Sequence, residues 1–258
     1  MTQSAPCDFL TWDSEFFGRK IGAVRGNRID AAQMADVMRW AEEVGIDCLY
    51  LLADPTDPAT IRLAEQHTFY FQSVRMVLER SLTTLEDILL PPADNITLRS
   101  GTSADVDHLR PIARSAYHLT RFFTDPCFPR ERSAELYDIW LTKNLRHEMA
   151  DEVVVAEMDG VPVGYTSCQL GKAEGSKEGI IQLVGVDETR RGGRIGQRVL
   201  AQACVWLREH GMETVSVTTQ GHNVPAVRFY ERLGFMTRQV QFWYHKWFHG
   251  CDADEGQL

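Results

Sequence analysis

A shift of 166 residues lays positions 35–80 of this 258-residue chain over positions 201–246 without a gap. Eight of the 46 pairs are identical: Ala35/Ala201, Trp40/Trp206, Glu43/Glu209, Gly45/Gly211, Arg62/Arg228, Glu65/Glu231, Phe69/Phe235 and Val74/Val240. The apolar pattern and the helix, glycine, strand punctuation agree as well, which reads as a duplicated half-domain. The alternative is that any two helix-strand-helix-strand units look alike when aligned. A duplication confines the chain to folds that two such units can build together. It also separates scaffold from chemistry, because Asp57 stands where Asn223 is and Ala64 where Tyr230 is.

Residues 82–97 combine a Pro-Pro pair with turn formers after an alternating strand pattern, so the chain divides into a unit at 1–90, a longer unit at 96–248 and a tail at 249–258. Apolar periodicity predicts strands at 9–12, 21–24, 48–53 and 74–80 and helices at 31–44 and 58–66 in the first unit. In the second it predicts a strand at 96–99, a helix opened by Thr102 or Ser103 that Pro111 should kink or end, and a helix at 130–145. Asp159-Gly160 supplies the positive φ angles of a tight hairpin turn between strands at 153–157 and 161–170. Strands at 180–186, 214–219 and 240–248 then alternate with helices at 196–209 and 224–232. The expected fold class is α/β (α+β), with a mixed, mainly antiparallel sheet flanked by helices.

Lys and Arg number 27 against 36 Asp and Glu, a net charge of −9 that repels a phosphate backbone over most of the surface. Nucleic acid is therefore excluded as a general partner, and small anions need a local basic patch. The six cysteines are scattered without a CxxC pair, which argues against a disulfide scaffold and fits a reducing compartment. The opening residues carry neither a basic n-region nor an apolar h-region, and no membrane-length apolar run follows, so the expected location is the cytoplasm, away from any membrane. His245 and His249 have i, i+4 spacing but sit on a strand pattern without further ligands, so no metal is expected.

The basic patch lies where a strand runs through two glycines into a helix. Arg190, Arg191, Arg194 and Arg198 fall within nine residues, and glycine-turned amides at a helix start suit a pyrophosphate. The alternative is an exposed helix start with solvated arginines. Neither a Walker loop nor a dinucleotide fingerprint is present. Asn223 and Tyr230 form a second constellation: seven residues is about two helical turns, so both project from one face roughly 10 Å apart. Against a ligand role, Asn223 is a natural helix N-cap, and a tyrosine beside Phe229 and Leu233 suits a core.

The strand at 181–186, the loop Arg191-Gly-Gly-Arg-Ile-Gly196 and the segment from Asn223 to Phe235 together resemble the acyl-CoA-binding core of the GNAT superfamily of N-acyltransferases. The resemblance covers about residues 96–248. The family's loop pattern has a glycine where this chain has Arg194, a departure that leaves Gly193 to make the bend. The opening LTWDSEFFG, the middle TRFF at 120–123 and the ending WYHKW at 243–247 are similar to one branch, the dTDP-4-amino-4,6-dideoxygalactose (TDP-fucosamine) N-acetyltransferases. Members of that branch carry a partial N-terminal domain of the same fold, which fits the duplication.

The resemblance implies acetyl-CoA as cosubstrate. Backbone groups of Leu183, Val184 and Val186 would align its pantetheine arm. Arg191, Gly192, Gly193, Arg194, Ile195, Gly196 and Gln197 would hold the pyrophosphate, Asn223 would bond the cofactor near its pantetheine, and Tyr230 would sit at the thioester sulfur as proton donor. A backbone amide near Val184 or Gly185 would hold the oxyanion. Between two expected helices, the aromatic and basic segment 117–132 offers Arg121 as a clamp for a nucleotide phosphate and Phe122 or Phe123 to stack on a base. The alternative is a loop packed across the junction. The implied partner is a small amine, first a nucleotide sugar. Another small amine, a protein N-terminus, or a non-catalytic acyl-CoA sensor remain as rivals. The aromatic last strand suggests either a homodimer face or packing against the first unit.

Overall fold

The computed structural model describes residues 5–91, 93, 95–190 and 193–249. In chain order these form β1 (Cys7–Phe9), α1 (Thr11–Phe17), β2 (Ile21–Val24), α2 (Ala31–Val44), β3 (Cys48–Ala53), α3 (Pro58–Gln66) and β4 (Tyr70–Ser81). There follow β5 (Ile96–Ser100), α4 (Val106–Ala116), α5 (Arg121–Thr124), α6 (Arg130–Leu145), β6 (Glu152–Met158), β7 (Val161–Leu170) and β8 (Glu178–Val186). The chain continues as α7 (Ile195–Glu209), β9 (Thr214–Gln220), α8 (Val224–Arg232) and β10 (Met236–Trp247). Ten strands make one sheet in the order β1-β2-β3-β10-β4-β9-β8-β7-β6-β5. Only β2 with β3 and β8 with β9 pair in parallel. Asp159 and Gly160 turn the β6–β7 hairpin with φ of 53° and 76°, as the tight turn requires.

The 166-residue shift is visible in three dimensions. It carries α3 onto α8 and β4 onto β10 at both ends. It also carries pairings: Cys48 with Trp247 in one ladder becomes Thr214 with Ser81 in another. Between β4 and β10, Arg75 pairs with its own counterpart Gln241, and its guanidinium donates to Gln241 Oε1 at 2.6 Å. A pseudo-two-fold axis therefore passes between these two residues. Each copy's last strand lies inside the other copy's ladder, β10 between β3 and β4, and β4 between β9 and β10. The exchange is capped symmetrically. Arg80 donates to the carbonyl of Leu233 at the end of α8, and its counterpart Lys246 donates to that of His67 at the end of α3. The connection at 82–97 is thus a crossing of the chain, and the sheet runs across it.

Alternation along the strands sorts the side chains into layers. One face carries two cores: α2 and α3 bury Met34, Val37, Ala41 and Ala64 against Leu49, Leu51 and Tyr244, and α7 and α8 bury Val199, Ala203, Leu207 and Tyr230 against Val215 and Val217. The opposite face is covered by α1, α4, α5 and α6, with Phe16, Leu109, Phe122 and Leu141 packed on Tyr50, Tyr165 and Leu183. Among the described residues no helix is long and apolar enough to cross a membrane.

Two local expectations are corrected. Residues 9–12 are not a strand: β1 stops at Phe9 and α1 begins at Thr11, because Trp12 and Phe16, one turn apart, stack at 5.1 Å on the core-facing side. Pro111 neither ends nor delimits α4. It sits on the exposed side of the helix above Asp107, where the carbonyl it leaves without a donor meets solvent.

Candidate active site

The site is built on a defect in β8. Its ladder with β7 pairs Cys168 with Ile181 and then Ser167 with Leu183, so Gln182 is an extra residue, a β-bulge. A bulge bends its strand, and on the other edge the parallel ladder with β9 stops at Ile181 and Val217, although β8 runs on to Val186 and β9 to Gln220. The two strands therefore part into a wedge. Ser167 Oγ pins the bulge by accepting from the Leu183 amide at 3.2 Å and from Asn144 Nδ2 at 2.8 Å, all buried. Beyond the bulge, where Val184 stands opposite Thr166, the Val184 amide donates to the Tyr117 hydroxyl at 2.8 Å, and that hydroxyl donates to the Val184 carbonyl at 2.9 Å.

Three phenols gather at this wedge. Tyr117 leaves the end of α4 and stacks on Tyr137 at 4.5 Å. Tyr165 lies against Gly185, where a Cβ would come within 2.6 Å of the ring, and its buried hydroxyl has no near polar neighbour among the described residues other than the Tyr117 hydroxyl. Tyr230 comes from α8 through the core formed with Phe229 and Phe235. It is 7% exposed, its hydroxyl makes no hydrogen bond among the described residues, and burial pushes the phenol well above its ordinary value. The Tyr230 phenol also lies near enough to Tyr117 to add to the upward shift that burial gives Tyr117. Sequence reading reached Tyr230 but not Tyr117 or Tyr165 as site residues. Tyr117 stood only as the first residue of the aromatic segment, and Tyr165 has the alternation of any inward strand residue.

The N-terminus of α7 opens beside the wedge. Arg194 holds the N-cap position with a left-handed φ of 57° and offers no side-chain cap. The bend expected at Gly193 thus falls on Arg194, the position where the resembling family has its glycine. The amides of Ile195, Gly196 and Gln197 have no acceptor among the described residues, since the first intrahelical bond outside the ladder runs from Arg198 to Arg194. Such amides, with the helix dipole behind them, suit an anion. Arg191 and Gly192 lie outside the described residues. The side chains of Gln197 and Arg198 turn to the crossing segment instead, donating to the carbonyls of Ile88 at 2.9 Å and Pro91 at 2.7 Å. Ile195 is buried beneath the loop, and Leu183 points into the α4–α6 core, so both offer a ligand only their backbone.

The first copy shows what the same scaffold looks like when closed. Asp30 caps α2 and Gln33 returns the bond, a complete capping box that leaves no room for an external anion. Thr60, buried, ties down the Ile29 amide at 2.6 Å. One open and one closed copy predict a single acetyl-CoA per chain, and titration calorimetry should give a stoichiometry of one; two equivalents would contradict the closed reading of α2.

Asn223 caps α8, accepting from the Ala226 amide at 3.3 Å, just as Asp57 caps α3 in the silent copy. The cap explains this side chain without a ligand, and its Nδ2 remains without a partner among the described residues. The proposed acceptor contacts are placed elsewhere. Arg121 lies over the rings of Tyr50, Phe122 and Trp243 at 4.0, 4.1 and 4.4 Å, with Nη1 3.1 Å from His245 Nε2. Phe122 is buried and stacks on Phe17, and Phe123 is half-buried against the same core. These residues pack across the junction of the two copies, the arrangement of the alternative reading. The last strand's Trp243, Tyr244 and Trp247 are likewise turned into the cores, as packing against the first unit requires.

His245 belongs to the same junction. Its Nδ1 donates to Asp125 Oδ2 at 2.6 Å, and Trp247 Nε1 donates to that oxygen at 2.9 Å. Burial, with the Arg121 charge alongside, pushes the imidazole down to about 4, so it stays neutral despite the carboxylate.

Residues 114–235, which hold the wedge, Tyr117, Tyr230 and the α7 N-terminus, match the Acetyltransferase (GNAT) family. The spore coat polysaccharide biosynthesis protein SpsD of Bacillus subtilis is 32% identical over 55% of this chain, but the match spans only 48% of that protein. A mycothiol acetyltransferase of Saccharomonospora viridis is 26% identical over 88% of this chain and 74% of its own length. Among solved structures, a GCN5-related N-acetyltransferase from Sphaerobacter thermophilus superposes with a TM-score of 0.65 at 17% identity, covering 95% of this chain and 76% of that one. The chain has the GNAT fold, and its residues 114–235 are similar to the Acetyltransferase (GNAT) family.

Proposed function

We propose that this protein transfers an acetyl group from acetyl-CoA directly to a primary amine, most specifically the 4-amino group of a dTDP-linked amino-deoxysugar. The observation that carries the reading is the wedge between β8 and β9 beyond Ile181 and Val217, with the uncapped start of α7 at its mouth. Residues fit the cosubstrate chemically: Val184 offers one amide and one carbonyl to an amide-bearing arm, and the amides of Ile195, Gly196 and Gln197 offer donors to a pyrophosphate.

Acetyl-CoA supplies an acyl group activated as a thioester. The incoming amine forms the new C–N bond and the C–S bond breaks, with the amine's proton lost and the thiolate protonated. Tyr230 is the group assigned to the sulfur. Its buried phenol stays protonated through the neutral range, and its hydroxyl has no competing acceptor among the described residues. The described free cysteines Cys7, Cys48, Cys168 and Cys204 are buried, and burial raises their thiols, so none of them is poised to carry an acetyl group. The amino-sugar acceptor is supported by the similarity to a polysaccharide biosynthesis protein and by the branch resemblance of the opening and closing segments. A second reading takes the acceptor of the mycothiol acetyltransferases, because that match runs through both copies.

Release of free thiol from acetyl-CoA should be measured across amino sugars, dTDP-linked amino-deoxysugars, polyamines and peptide N-termini. Turnover fastest with the dTDP-linked sugar is the expected result. Turnover only with simple amines would remove the nucleotide-sugar acceptor, and acetyl-CoA binding without turnover on any amine would favour a sensor.

A further inference from the structure

Where a parallel ladder stops while both strands continue, backbone groups on the facing edges lose their partners, and buried groups of that kind must be satisfied some other way. In this protein a side chain does it. The Tyr117 hydroxyl accepts from the Val184 amide and donates to the Val184 carbonyl, using one donor and one acceptor on a single residue. That is the hydrogen-bond pattern a strand, or the amide of an extended ligand, presents to a strand edge. We propose that Tyr117 is a built-in competitor for the acyl-CoA arm: its hydroxyl takes the place at Val184 that the ligand must take, and so sets the affinity of the wedge.

The surroundings suit a group that moves. Tyr117 stands just past the last residue of α4, with φ −114° and ψ 25°, outside the helix proper. Its ring lies on Tyr137 in a nearly parallel stack, with an interplanar angle of 12°, a contact that tolerates displacement within the ring plane. The buried Tyr165 hydroxyl already lies within interaction range of the Tyr117 hydroxyl and meets no other partner among the described residues, so it is the group at hand for a phenol that leaves Val184. The loop that follows is tethered at its far side, where His222 Nε2 bonds the Leu119 carbonyl at 2.9 Å, so a change at Tyr117 needs no movement of α5.

The proposal rests on acyl-CoA entering this wedge, and the test separates the two. Tyr117→Phe keeps the stack on Tyr137 and removes only the hydroxyl. With both Val184 groups released, acetyl-CoA should bind about 3- to 10-fold more tightly by calorimetry, since the closed state no longer competes. In the ligand-free protein, hydrogen exchange at the Val184 amide should be faster in Tyr117→Phe than in wild type. Wild type that binds acetyl-CoA while Tyr117→Phe binds equally or more weakly overturns the competitor and leaves the proposed function standing. Wild type that binds no acetyl-CoA overturns the proposed function, and the competitor with it. A cooperative thermal melt of Tyr117→Phe serves as the folding control, with a lower midpoint expected because Val184 loses its partner.

Discussion

Tyr230→Phe should lower kcat for acetyl transfer by about 100-fold or more, with acetyl-CoA affinity and thermal stability close to wild type. The magnitude is that of a positioned proton transfer. The separation from stability follows from the environment: the hydroxyl has no hydrogen-bond partner among the described residues, so its removal orphans nothing and the phenyl ring still fills the core between Phe229 and Phe235. Because burial raises the phenol, Tyr230 contributes no loss of activity on the alkaline side below about pH 10, and any fall there belongs to another group. Steady-state kinetics with a saturating amine, alongside a melt, decide the matter. A change in KM with kcat intact would mean that Tyr230 only shapes the groove. Asn223 makes a poorer probe, since removing a cap costs about 1 kcal/mol whatever the residue does for a ligand.

Lowering the pH from 7 to below 4 should destabilise the fold by about 3 kcal/mol through His245 alone, at 1.36 kcal/mol per pH unit between an ordinary histidine and one at about 4. The sign follows from which state takes the proton first. The folded-state value is depressed, so the unfolded chain binds a proton from about pH 6.5 downward while the folded chain does not. Stability is complete above that point and drains away until the folded value near 4 is passed. Asp125 extends the loss to lower pH. Burial would raise its carboxyl, but the bonds from His245, Trp247 and the Cys127 amide hold it below the usual range. Urea unfolding from pH 7.5 to 4.5 measures the slope. His245→Asn keeps a donor for Asp125 and removes the titration, so its slope should flatten. An unchanged slope in that variant would show that the acid sensitivity lies elsewhere.

Most of the scaffold was legible because it is periodic. Helices 31–44, 58–66, 130–145 and 224–232 and the strands at 21–24, 48–53 and 161–170 have amphipathic or alternating patterns closed by caps or glycines, and they form as read. The duplication was legible from eight identities, but not the strand exchange it leads to. Which ladder β4 and β10 enter depends on pairings between residues more than 130 apart, for which a single sequence has no local signal. α1 was missed because a three-residue strand runs directly into an aromatic helix, and the shared apolar residues read as one strand. At the site, the helix start was visible from its arginines and glycines, and Asn223 and Tyr230 as departures from the first copy. Arg121 and Phe122 were left between two readings because an aromatic, basic segment has the same composition whether it grips a nucleotide or packs a guanidinium against three rings across a junction. Tyr117 escaped notice because its partner is the backbone of a strand 67 residues away, exposed only by the bulge at Gln182.

A crystal structure of the protein with acetyl-CoA tests the central claim most directly. It should show one ligand per chain, the pantetheine arm between β8 and β9 beyond Ile181 and Val217, the pyrophosphate on the amides of Ile195, Gly196 and Gln197, and the sulfur beside Tyr230. A ligand seated outside that wedge, or at the capped start of α2, would contradict it.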